Sequence, residues 1–292
     1  MNRKTLNKIK RRLSGAGFIS LSLIGILVFY IVPFGAIIYY SMVKSPLDRS
    51  FVFLDNYKTL LANTAFRTAA VNTLSFSALA VPLAVILSLC LALMLETNIP
   101  GKSIFRTFFL SPMMVPVASI VLIWNVIFHY NGALNSLLVR FGIVKIDWMK
   151  SELNQLVVVL LFLWKNLGYN MILFMAALNN IPKGLLEVAE IEGAGGLYKF
   201  FRIKLRYLSP TILFVTILSM INSFKVFREV YMLTGSYPFG KLYMLQHFMN
   251  NTFNSLDYQK LSAAAIVMCI VMIVIIAILF IIENHFGKDV EG

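Results

Sequence analysis

Cysteine is nearly absent. The two that occur, Cys90 and Cys269, each sit inside an apolar run, which argues against a disulfide framework and against a thiolate metal site. Histidine is as scarce: His129, His247 and His285 are scattered without ligand spacing, so no imidazole-based metal centre is expected. Charged residues make up 13% of the 292, and acids are the minority among them, 13 Asp and Glu against 26 Lys and Arg, for a net charge of +13. A soluble fold of this length needs a polar surface that such a composition cannot supply. In a soluble protein the basic excess would point to nucleic acid. In a chain that is 59% hydrophobic, with mean hydropathy +0.79, it reads as the basic bias of cytoplasmic loops in a membrane protein, and no nucleic-acid partner is expected.

What the chain has in abundance is long apolar runs. A bilayer core of about 30 Å takes roughly 20 apolar residues of helix. Six runs meet this, over about 18–41, 73–95, 107–129, 156–178, 211–233 and 262–282. Backbone groups in lipid must bond within their own segment, so all six are expected to be helices and the fold all-α. The basic start MNRKTLNKIKRR resembles a signal peptide, but the run from Phe18 to Tyr40 is too long for a signal core and no small-residue cleavage site follows, so it reads as a retained span. With an even number of spans both termini share one side. If that side is the cytoplasm, the inner segments hold fourteen Lys and Arg and the longer outer loops nine, the orientation the positive-inside rule favours. Pro33, Pro82, Pro112 and Pro116 fall inside the first three runs, where they kink or break helices. No internal repeat and no second globular domain are evident.

The stretch EVAEIEGAGGLYKFFRIKLRYLSP (187–210) is charged and glycine-dotted between the fourth and fifth runs. Pro182 suits the first turn of a short helix over Lys183 to Ala194, which Gly195-Gly196 can stop. Glu187 lies near its positive end, and Ala189 and Gly193, four apart, share a face of small side chains. A second short helix is predicted from Leu197 to Tyr207. Leu197, Phe200, Phe201, Leu205 and Leu208 would lie on one side of it and Lys199, Arg202 and Arg206 elsewhere, as in a helix lying under headgroups. Ser209-Pro210 would then open the fifth span.

These residues resemble the signature of importer-type ABC permeases: Glu-Ala-Ala, three residues, Gly, nine residues, Ile, one residue, Leu-Pro. Glu187, Ala189, Gly193, Ile203 and Leu205 fall at its positions; Val188 stands at the first alanine and Arg206 at the proline. The order of FVFLDNY (51–57), NTLSFSALAVPLAV (72–85), FRTFFLSPMMVP (105–116), NGALNSLL (131–138), WKNLGYNMILFMAALNNIP (164–182) and FKVFREVYMLT (224–234) resembles the carbohydrate branch, of the maltose and glycerol-phosphate uptake type. The resemblance implies a type I importer fold in a bacterial cytoplasmic membrane: a basic cytoplasmic segment 1–17, a six-helix permease domain 18–282 with a coupling loop 182–209, and a cytoplasmic tail 283–292. It implies that Glu187, Ala189, Glu190, Gly193, Ala194, Gly195, Ile203 and Leu205 couple to an ATPase. The implied partners are a second homologous permease, two ATP-binding subunits, an extracytoplasmic solute-binding protein and a carbohydrate, by expectation an oligosaccharide; Lys225 and Arg228 would also suit an acidic one.

ATP and magnesium are expected on the ATPase subunits and no cofactor on this chain. IPGKS (99–103) imitates a phosphate-binding loop, but Glu96 takes the place of its first glycine and no strand precedes it. Polar residues inside the spans remain to be explained, since an intramembrane charge costs about 2.5–3.5 kcal/mol on the gentler scale. Lys165, Asn166 and Asn170 in the fourth span, with Asn222, Lys225, Arg228 and Glu229 in the fifth, either line a wet path that hydrogen-bonds a sugar, or stabilise the bundle through a Glu229 pair with Lys165 or Lys225. Trp164, Tyr169, Phe224 and Tyr231 offer ring faces for stacking. Two other classes are weighed. An ion-coupled secondary transporter would be expected to show repeats, and a membrane-embedded enzyme would need a catalytic pair that the spans lack.

Overall fold

Prolines and glycines punctuate this chain where sterics require it. The computed structural model describes residues 19–97 and 100–287. The expected segment 1–17, residues 288–292 of the expected tail, Ile99 and the side chain of His285 lie outside the described residues. The chain falls into two compact units, one of residues 1–63 and 252–270, the other of 64–251 and 271–292.

In the first unit, α1 (Ile19–Met42) is a candidate span. Its helix widens to π pitch over Leu27–Ile31 just before Pro33, the kind of local adjustment that relieves the clash between a proline ring and the carbonyl four residues back. The short helix α2 (Asp55–Ala62) follows. Asn56 donates to the carbonyls of Ser41 and Val43 at 3.0 and 2.9 Å, and Tyr57 donates to Ser41 Oγ at 2.7 Å. A side-chain amide thus satisfies carbonyls that the end of α1 leaves open, which is the physical content of the FVFLDNY phrase.

The second unit is built on α3 (Thr64–Glu96), α4 (Lys102–Met114), α5 (Val117–Phe128), α6 (Ala133–Arg140), α7 (Asn154–Asn179), α8 (Lys183–Ile191), α9 (Gly196–Thr234) and α10 (Leu245–Asn254), of which 245–251 belong here; its last element is residues 271–287 of α11 (Tyr258–Gly287). Helix α7 is central. Its first half buries Val157, Val158, Leu161 and Phe162 against Phe76 and Ala80 of α3 and Ile120 and Trp124 of α5. Its second half buries Met171, Phe174 and Leu178 against Val85 and Ala92 of α3 and Leu208 and Val215 of α9.

Six described helices are long and apolar enough to cross a membrane. The second and third differ from the expected runs. Helix α3 begins at Thr64, nine residues before the apolar run, and at 33 residues is about 50 Å long, more than a bilayer core. The third run is two helices. Val115 (φ −79°, ψ 128°) is extended because Pro116 follows it, and a residue before proline is driven out of the α region.

Candidate functional site

The same pre-proline effect ends α7. Ile181 precedes Pro182, which serves as the N-cap of α8 (ψ 121°), and the helix starts at Lys183 as expected. Glu187 therefore lies a full turn inside α8, exposed, beyond the reach of the helix-end charge. Helix α8 stops at Gly193, not at Gly195-Gly196. Gly193 has φ +80°, its N–H donates to Glu190 O at 3.0 Å, and the N–H of Ala194 donates to Ala189 O at 2.8 Å. This is a Schellman stop, whose left-handed residue is usually glycine. The expected face shared by Ala189 and Gly193 is corrected accordingly: Ala189 is buried on α8, while Gly193 lies past its end.

Gly195 is extended and caps α9, and Lys199 reaches back to Glu190 at 3.1 Å. The separate second helix does not form. The chain runs helically from Gly196 through a π turn at Phe200–Lys204 and past Pro210 into the fifth span. Arg206, where the signature has proline, keeps the backbone donor that this continuity uses. Ile203 and Leu205 are half-buried in it. Lys204 donates to both oxygens of Glu96 at 2.8 and 2.6 Å, tying the start of α9 to the end of α3. The outer side of α8 is apolar: Leu185, Val188 and Ile191 are 43%, 55% and 86% exposed. The bulk of Val188 therefore projects outward and displaces nothing.

The polar residues of the spans converge on a cleft of about 430 Å³. Lys165, Asn166 and Tyr169 of α7 line it with Asn222, Lys225, Arg228 and Glu229 of α9. Met113 and Val117 contribute from either side of the Val115-Pro116 break, and the helical bonding of α9 is interrupted at Val226 in the same wall. Lys165 pairs with Glu229, whose side chain is 2% exposed. Asn222 donates to Asn166 Oδ1 at 2.9 Å, and Asn166 donates to Phe162 O at 2.8 Å. The expected Lys165–Glu229 pair forms, and both of its members stand in the cleft wall.

Four residues named from the sequence lie elsewhere. Trp164 packs on Trp124 at 5.2 Å. Asn170 is buried and donates to Ser219 Oγ at 2.9 Å. Phe224 joins the second core cluster, and Tyr231 packs on Phe227 at 5.4 Å.

Sequence reasoning missed a set of buried amides. Asn72 donates to the carbonyls of Gly240 and Tyr243 at 3.1 and 2.9 Å. Asn135 donates to Tyr130 O and Ile146 O and accepts from the Ile146 N–H and Trp148 Nε1. Asn154 donates to Phe239 O at 3.0 Å. Each lies at or near the end of an apolar run, and that was the available signal: an amide there can satisfy loop backbone that has no water. His247 of α10, outside the candidate spans, was also missed. It is fully buried among Phe227, Tyr231 and Tyr243, and burial lowers its pKa from 6.5 to about 4.

A crystal structure of a bacterial alginate ABC transporter, in complex with alginate pentasaccharide-bound periplasmic protein, contains a chain of the same fold, with TM-score 0.84 over 97% of this chain and 98% of that one at 20% identity. The permease protein YesP of Bacillus subtilis, described as a probable ABC transporter permease, is 31% identical over 95% of this chain and 92% of its own length. The trehalose/maltose transport system permease protein MalF of Thermococcus litoralis is 28% identical over 99% of this chain and 100% of its own. The family model for binding-protein-dependent transport system inner membrane components matches residues 80–292. Dependence on a binding protein sets aside the ion-coupled carrier and the membrane-embedded enzyme. With six candidate spans, this chain is a multi-pass membrane protein that belongs to the binding-protein-dependent ABC transport system inner membrane components.

Proposed function

We propose that this chain is one of two permease subunits of an importer for an oligosaccharide, working by alternating access. The substrate class follows the printed names of its relatives, a trehalose/maltose permease and an alginate transporter. A second homologous permease, two ATP-binding subunits carrying ATP and magnesium, and an extracytoplasmic binding protein complete the assembly. Both termini and the α8–α9 elbow face the cytoplasm, on the basic bias of those segments. Glu187, Ala189, Glu190, Gly193, Ala194, Gly195, Ile203 and Leu205 form the lever against the ATPase, and the cleft residues of α7 and α9 form this chain's wall of the path.

The observation that carries this reading is the elbow itself. Helix α8 presents apolar residues outward and is held at one end by Pro182; at the other the Gly193 stop turns the chain tightly into α9, the Lys199–Glu190 pair spans that turn, and α9 runs unbroken from Gly196 into the fifth span. A push on such an element is delivered to the span instead of being absorbed by a loop. Movement then follows from contacts that differ between the ATPase's open and closed states.

The test uses Gly193. A β-branched residue at φ +80° is strained by about 1–2 kcal/mol, whereas asparagine tolerates that region. Gly193→Val is expected to lower ATP-dependent uptake at least tenfold at normal membrane abundance, and Gly193→Asn to keep most of it. Undiminished uptake in Gly193→Val, or failure of any ATPase to co-purify with the wild-type chain, overturns the coupling role.

A further inference from the structure

The cleft between α7 and α9 carries more positive charge than its own structure uses. Three cations line it, Lys165, Lys225 and Arg228, against one carboxylate, Glu229. Glu229 is taken up by Lys165. Lys225 and Arg228 pair with no carboxylate among the described residues, and both are exposed on the cleft wall. Charges on spanning helices persist where they face water or a ligand, so two uncompensated cations on one wall need an occupant of opposite sign. The rest of the wall suits a polyol. The Asn222 side chain faces the cleft, and Tyr169 offers a partly exposed ring. The volume, about 430 Å³, is within the range of small-ligand sites.

We propose that the solute passing this wall is an anionic saccharide, a polyhydroxylated molecule bearing a carboxylate or a phosphate ester, whose charge is met by Lys225 and Arg228. The guanidinium of Arg228 matches either anion with two parallel donors, while Lys225 acts as a compact charge beside it. This rests on the oligosaccharide-importer reading and narrows it: neutral sugars would leave both cations without a partner.

Uptake of four labelled probes by the source cells tests it. The probes are a uronic acid trisaccharide, the same trisaccharide methyl-esterified, glucose 6-phosphate and maltotriose. Wild-type, chain-deleted, Lys225→Gln, Arg228→Gln, double-variant and Arg228→Lys cells are compared at matched membrane abundance. Because neither cation supports another side chain, the Gln variants are expected to insert normally. Chain-dependent uptake of the trisaccharide or of the phosphate, but not of the ester or maltotriose, is expected, and the probe accepted identifies the anion. Each Gln variant is expected to lose about tenfold, with Arg228→Lys keeping part of the rate. Chain-dependent uptake of a neutral probe, unchanged in the double variant, overturns the anionic assignment and leaves the importer reading standing. Undiminished uptake of the charged probe in the double variant overturns the role of the two cations. If uptake of no saccharide, charged or neutral, depends on the chain, the importer reading itself fails and this inference with it.

Discussion

The backbone carbonyl of Phe109 occupies the place where a side chain on Gly168 would begin: a Cβ built on Gly168 would lie 1.9 Å from that oxygen. Helices α4 and α7 therefore approach to backbone contact at this point, an approach that small residues permit and that drives helix association in membranes. It holds the half of α4 nearest the cleft against the helix that carries Lys165.

Gly168→Ala is accordingly expected to destabilise the folded chain by about 1–3 kcal/mol, the usual cost of overpacking. Thermal unfolding in detergent, read by loss of monodisperse protein, checks this. Gly35→Ala in α1, where nothing lies within 4 Å of the added atom, is the control and should be neutral or gain about 0.5–1 kcal/mol from helix propensity. A Gly168→Ala protein as stable as the control contradicts the contact.

How much of this was readable beforehand differs by feature. Spans and the charged elbow follow from run length and composition, which lipid constrains tightly. The Val115-Pro116 break also follows from local sterics at Pro116, whereas Pro82 and Pro112, named on the same ground, stand inside continuous helices. The merger of the elbow into α9 does not follow from them, because it depends on whether a helix propagates through Arg206 and Pro210, a choice that packing on α3 and α7 makes. Within the cleft, composition named the polar residues but could not sort them. Trp164 and Lys165 are neighbours, yet one faces α5 and the other the cleft. Asn166 and Asn170 are one turn apart, yet Asn170 is buried on Ser219. Sorting them needs the rotation of α7, which is set by long-range partners. The buried amides were hidden for the same reason, since their partners lie far along the chain.

The Lys165–Glu229 pair predicts an asymmetry. Glu229 is 2% exposed and Lys165 29%, so removing the lysine leaves a buried charge alone, at a cost of about 3–5 kcal/mol. Removing the acid leaves a cation that can still reach the cleft. Lys165→Gln should thus lose more folded protein than Glu229→Gln, and the double variant less than the sum of the two. Equal losses in stability measurements on the two single variants would show that the pair does not set the energetics.

The Lys204–Glu96 pair, with side chains 20% and 31% exposed, predicts a functional effect out of proportion to its stability. A partly exposed pair contributes about 1 kcal/mol or less. It nevertheless joins the end of α3 to the start of α9, so it should matter when the elbow is pushed. Lys204→Gln is expected to shift unfolding slightly and to reduce uptake several-fold, and the exchange Lys204→Glu with Glu96→Lys is expected to restore part of the loss. A stability loss as large as the uptake loss would make the pair a packing element only.

His247 gives the chain a pH dependence that can be signed. In the fold its pKa is lowered to about 4, because burial among three aromatic rings disfavours the cation; unfolded, it returns to 6.5. Its Nδ1 accepts the Met244 N–H at 3.3 Å and its Nε2 is buried without a partner, so the neutral ring fits the site and the charged ring would lack a counter-charge there. As pH falls below 6.5 the unfolded chain takes up a proton that the folded chain refuses, and stability falls with it. The contribution is complete above pH 6.5, has dropped by about 2 kcal/mol at pH 5, and is exhausted below about pH 4. Unfolding midpoints of the purified chain between pH 7.5 and 5 should therefore decline. In His247→Gln they should start lower, through lost packing on Phe227, and decline less. A decline of equal steepness in the variant would place the titration on another group.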